Sequence, residues 1–145
     1  MTPPPPTTAP PGPAGALRRL AVPLGLLGSV TAAFAYVATV DPNEPGHYPP
    51  CPLLHHTGIF CPGCGGLRSA HAFAHGDLPT ALGANALAVV GFGLFAVVWG
   101  VWALRTARGR PLRLELGRAQ LWGVGVVVAL FTLVRNLPFG GALHP

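Results

Sequence analysis

Three apolar stretches alternate with polar connections along this chain, and their lengths set the architecture. Leu20–Val40, Asn85–Leu104 and Ala119–Val134 each run without a single charged side chain. An α-helix rises about 1.5 Å per residue, so roughly 20 apolar residues, with ~17 as a lower limit, cross the hydrocarbon core of a bilayer. The first two runs meet that length. The third has sixteen residues before Arg135, and it gains reach from Leu116 and Gly117 ahead of it and from an arginine whose stem can snorkel to the headgroups. The pattern predicts an all-α membrane protein with three transmembrane helices, at about 20–40, 85–104 and 117–135, inside a membrane domain spanning 18–139. Packing the same runs as buried helices of a soluble core would leave almost no polar sequence to cover them.

The polar segments divide into a tail, a loop and a short end. Residues 1–17 hold seven prolines and no charge, a composition that cannot build a packed core and predicts a disordered, polyproline-like tail. The cysteine loop, 41–84, opens on five prolines and a glycine between Asp41 and Pro52, which predicts an extended, turn-rich connection. Residues 140–145 form a short tail. Within the loop, Cys61 is expected to precede a helix whose first position is Pro62, where a missing N–H is no loss. A helix over 64–75, ending at Gly76, would carry Cys64, Arg68, His71 and His75 on one stripe, since they are spaced four, three and four. Such a short interfacial or re-entrant helix suits a membrane surface. Asp77 is placed to cap the next turn ahead of Pro79.

All nine basic residues are arginines against four acids. Arg18 and Arg19 abut the first run, while Arg105, Arg108, Arg110, Arg113 and Arg118 crowd the connection between the second and third. Positive residues in short connections stay cytoplasmic, so the amino terminus is expected inside and the cysteine loop outside. No aromatic side chains interleave these arginines as a nucleic-acid surface requires, which argues against a nucleic-acid partner and leaves membrane lipid or another membrane protein. Arg18 to Ala35 also admits a secretory-signal reading, which its long apolar run disfavours. Arg68 and Arg135 break the charge pattern and should each have a partner near the bilayer. Snorkelling to the surface is the expectation for Arg135. Gly25, Ser29 and Ala33 recur every four residues and would let a neighbouring helix approach closely.

Chemistry concentrates in the 51–75 stretch of the loop, which holds all three cysteines and four of the six histidines, among them His55 and His56. Cys61-Pro62-Gly63-Cys64 is a C-x-x-C. As a redox dithiol it would use Cys61 as attacking thiolate, Cys64 as resolving thiol, Arg68 to favour the thiolate and His71 as proton shuttle. As a metal site, zinc would draw on Cys51, Cys61 and Cys64 with His71 or His75. As a staple, two of the cysteines would pair and tie the loop of an accessory or assembly component, the leading expectation. No βαβ pattern surrounds the C-x-x-C, which excludes a thioredoxin-like domain. The spans carry no acid or histidine, which argues against a cation path through them.

These residues resemble a family of bacterial membrane proteins grouped as domain of unknown function 2752. The resemblance rests on C-P-G-C-G-G-L-R-S-A-H, on Gly76-Asp77, on an asparagine opening the second span and on Arg135-Asn136 after the third. It implies Cys51, Thr57, Gly58, Cys61, Pro62, Cys64, Gly65, Arg68, Asp77, Asn85, Arg135 and Asn136 as family-pattern positions. Leu67 stands where a threonine is common, and Ala86 where a proline is common. The family carries no biochemical role, so the resemblance implies none.

Overall fold

The computed structural model describes residues 13–110, 112, 115–138 and 140. Five helices follow in order: α1 (Pro13–Thr39), α2 (Pro52–Thr57), α3 (Gly66–Ala74), α4 (Leu78–Ala107) and α5 (Arg118–Arg135). No strand occurs among the described residues. Three of the helices are long and apolar enough to cross a membrane: Arg18–Thr39, Leu78–Ala107 and Arg118–Arg135. Their large side chains point outward, as with Leu94, Val97 and Trp122 at 62%, 64% and 75% exposure, which in a bilayer means toward lipid. The molecule is thus an all-α, multi-pass membrane protein with shorter helices beside its cysteines.

α1 and α4 lie antiparallel. Near one end Trp99 Nε1 donates to the Pro23 carbonyl at 3.0 Å, and near the other the Phe34 and Phe92 rings meet edge-on at 5.1 Å. α3 wedges between them at this second end: Phe73 touches both rings, at 6.3 and 5.5 Å. Ser69, Ala70, Ala72 and Ala81 are buried there, small side chains that let the short helix sit close to α4. The first end gathers arginines, because α1 starts where α4 stops. The Arg19 guanidinium reaches Gly109, the left-handed glycine (φ 71°) that ends α4.

Several expectations need correcting. α1 begins at Pro13, inside the segment read as a disordered tail; residues 1–12 lie outside the described residues, as do 141–145 and Arg113. The second long helix starts at Leu78, and Asn85 interrupts it with extended backbone (φ −163°, ψ 94°). Asn85 therefore stands at the start of the uncharged run read from the sequence, but about two turns of helix precede it and are joined to it. That first segment begins as expected, with Asp77 Oδ1 accepting from Thr80 N at 3.1 Å and Gly76 in the left-handed region (φ 79°). α2 was not foreseen: Pro52 serves as its first residue and Gly58 (φ 70°) as its stop. Gly25, Ser29 and Ala33 face outward, with open space around Gly25, and bring no described helix close.

Candidate functional site

α3 starts at Gly66, so Cys64 is not on its stripe. Pro62 to Gly65 form a turn in which Cys64 N donates to Cys61 O at 3.1 Å and Gly66 N to Gly63 O at 2.9 Å. Gly65 takes φ 76°, a left-handed conformation that any side chain with a Cβ resists. Helix periodicity counted through this glycine therefore misassigns Cys64. Pro62 sits in the turn and not at a helical first position.

The turn is held by side chains arriving from two membrane-crossing helices. Asn85 Nδ2 donates to Pro62 O at 2.9 Å and to Cys64 O at 3.1 Å. Its Oδ1 accepts from Ala88 N at 2.9 Å, so one residue caps α4 and binds the turn. From α5, Arg135 Nη1 donates to Cys61 O at 3.2 Å and Cys64 O at 3.1 Å. Its guanidinium lies 5.6 and 5.1 Å from the Phe60 and Phe131 ring centres. Arg135 is fully buried, which overturns the snorkelling expectation: the turn's carbonyls supply acceptors that water or headgroups would otherwise provide. Asn136 completes the clamp. Its Oδ1 accepts from Phe60 N at 2.8 Å and its Nδ2 donates to Phe60 O at 2.9 Å.

With its carbonyls turned to Asn85 and Arg135, the chain brings its sulfurs together. Cys51, just ahead of α2, stands with its Sγ 3.5 Å from that of Cys61, and Cys61 and Cys64 are 3.0 Å apart. All three Sγ atoms lie within 4.8 Å of one another. All three are thiols in the structure. Their environments differ. The Leu54 backbone N–H, with the Cys64 and Cys61 thiols beside it, brings Cys51 down to about 7. Burial, reinforced by the neighbouring thiols, pushes Cys64 up to about 12.

No histidine joins this trio among the described residues. His55 and His56 are exposed on α2, where Thr57 also lies. His71 and His75 stay together with Arg68, on a cavity that does not include the cysteines. That cavity is lined by Arg68, His71, His75, Asp77, Thr80 and Asn43, among others. His71 Nδ1 is 2.8 Å from Val37 O, and His75 Nδ1 is 2.8 Å from His71 O. The sequence-predicted stripe is thus real for three members, and the loop splits into a sulfur centre and a separate polar cavity. The parts that Asn85, Arg135 and Asn136 play, from as far as 76 residues away in the chain, could not be read from local spacing. The signal available was chemical: amide and guanidinium side chains at the ends of otherwise uncharged spans.

A model of the family described as "Protein of unknown function (DUF2752)" matches residues 51–99, the stretch that supplies all three cysteines, α2, α3 and most of α4. The chain resembles that family over the segment that builds the site. No curated protein and no solved structure matches it.

Proposed function

We propose that this is a small membrane component whose polar loop is pinned by a three-thiolate metal centre, with zinc as the cation. The observation that carries this reading is the convergence of the Cys51, Cys61 and Cys64 sulfurs within 4.8 Å. Zinc binds thiolate at roughly 2.3 Å, so sulfurs sharing a tetrahedral ion stand about 3.8 Å apart, and shifts of about an ångström or less bring these three to that spacing. Charge supports the choice. Three thiolates and a divalent ion sum to one negative charge, and the buried Arg135 at the same turn offsets it, which matters where unpaired charge is costly. Three protein ligands leave one tetrahedral position open to water or a further ligand. A bound ion would join residue 51 to the 61–64 turn, the staple that an accessory or assembly component needs. The arginines gathered at the opposite end support a cytoplasmic amino terminus and an extracytoplasmic loop.

The test is the metal and thiol content of protein purified from membranes without reductant. About one zinc per chain is expected, lost on Cys51→Ser, Cys61→Ser or Cys64→Ser. Metal-free protein containing a Cys61–Cys64 or Cys51–Cys61 disulfide would overturn the metal reading. One feature favours that second reading: Cys61 stands within 3.5 Å of both other sulfurs, so a disulfide could pass from one to the other. Ready exchange of that bond with an added dithiol would then mark a membrane thiol–disulfide protein.

A further inference from the structure

The cavity beside α3 has about 510 Å³ of space, within the range of small-ligand sites. Its lining carries both signs of charge. Arg68 makes no hydrogen bond or ion pair with another described residue, and its planar fork suits the two oxygens of a phosphate ester. His71 and His75 keep their Nδ1 atoms on backbone carbonyls; His71 Nε2 faces the Asp41 carboxylate at 4.0 Å, and the His75 Nε2 is left for a ligand. Asp77 uses Oδ1 to cap Thr80 N, so its other oxygen can accept from an ammonium group. Arginine and carboxylate on one cavity call for a ligand that is itself zwitterionic.

Position narrows the source. The cavity lies where α1 leaves its span, at Val37, and where α4 begins, so it sits at headgroup depth if these helices cross a bilayer. The same turns of α4 that supply Asp77, Thr80 and Gly83 also expose Leu78 and Leu82, at 49% and 44%. A polar cavity at that depth, with lipid-facing leucines on another face of the same helix turns, fits the headgroup of an amphiphile better than a free ester.

We propose that this cavity binds a phosphoethanolamine group, carried by a membrane aminophospholipid, with Arg68 on the phosphate and Asp77 on the ammonium. The site is independent of the cysteine centre.

Protein exchanged into detergent with an equimolar mixture of phosphatidylethanolamine, phosphatidylcholine and phosphatidylglycerol should retain the first, as read by native mass spectrometry. The choline lipid offers no N–H donor and the glycerol lipid no cation. Arg68→Gln, at an exposed position, should lower retention by about tenfold or more. Asp77→Asn preserves the helix cap, because asparagine caps as well as aspartate, and should abolish the preference for ethanolamine over glycerol. Circular dichroism identical to wild type confirms that both variants fold. Equal retention of the three lipids, or undiminished retention by Arg68→Gln, would overturn the proposal. Soluble phosphoethanolamine that protects against thermal unfolding as well as the lipid does would overturn the lipid source.

Discussion

Arg135 and Asn85 reach the cysteine turn through its backbone and leave the sulfurs free. Each contributes two bonds to the turn's carbonyls; they share Cys64 O, while Pro62 O is bonded by Asn85, and a buried acceptor left unsatisfied costs about 1–3 kcal/mol. Asn85→Ala should therefore destabilise the protein by roughly 2–4 kcal/mol, since it removes the α4 cap along with both carbonyl contacts. Arg135→Lys keeps the charge but not the fork geometry, and should lower the unfolding midpoint in detergent less than Arg135→Met does. The thiols themselves can be read by alkylation of metal-free, reduced protein. With Cys51 lowered to about 7, its labelling should rise about tenfold per pH unit toward neutrality and level off above it, because the thiolate is the nucleophile. Cys64, pushed up to about 12 by burial, stays a thiol throughout that range and should label last. Peptide mass spectrometry of time points separates the two. The sequence disclosed which residues were chemical, but not that a glycine in the left-handed region would turn Cys64 off the α3 stripe and toward Cys51.

Among the elements, the turn into α3 makes the sharpest contrast. Gly65 has φ 76°, so Gly65→Ala should cost about 1–2 kcal/mol through its conformation alone. Gly66, the first residue of α3, has nothing within 4 Å of where a Cβ would stand. Gly66→Ala should be neutral or stabilising by about 0.5–1 kcal/mol, and paired thermal-unfolding curves distinguish the two. Run length alone made the membrane-crossing helices legible, and the Gly76-Asp77 boundary was legible because its capping chemistry is local. α2 was hidden by the prolines around it, one of which in fact starts it. The helix ahead of Asn85 was missed because its residues are less apolar than the span that follows, so hydropathy marked the break in α4 as its beginning.

For the molecule as a whole, arginines mark one end and the sulfur centre the other. If the positive end is cytoplasmic, reporters fused at about residue 110 should register inside the cell and those fused in the cysteine loop outside; the reverse pattern would invert the orientation and put the thiols in a reducing compartment. How α5 joins the other elements was not legible, because it engages them chiefly through Arg135 and Asn136 at its end, a contact no periodicity announces.

That contact has a consequence for biogenesis. The cysteines lie in the loop between the first two spans, yet the arginine that anchors their turn is the last residue of the third. A nascent chain that has delivered only α1 to α4 to the membrane holds every sulfur but not the residue that fixes two of them. The turn gains its Arg135 and Asn136 contacts only once the final span has been threaded and turned to face the loop. A chain stopped at residue 110 should insert but leave Cys61 and Cys64 accessible to a membrane-impermeant thiol reagent, whereas the full chain protects them. Maturation of the sulfur centre would then act as a receipt for a finished insertion.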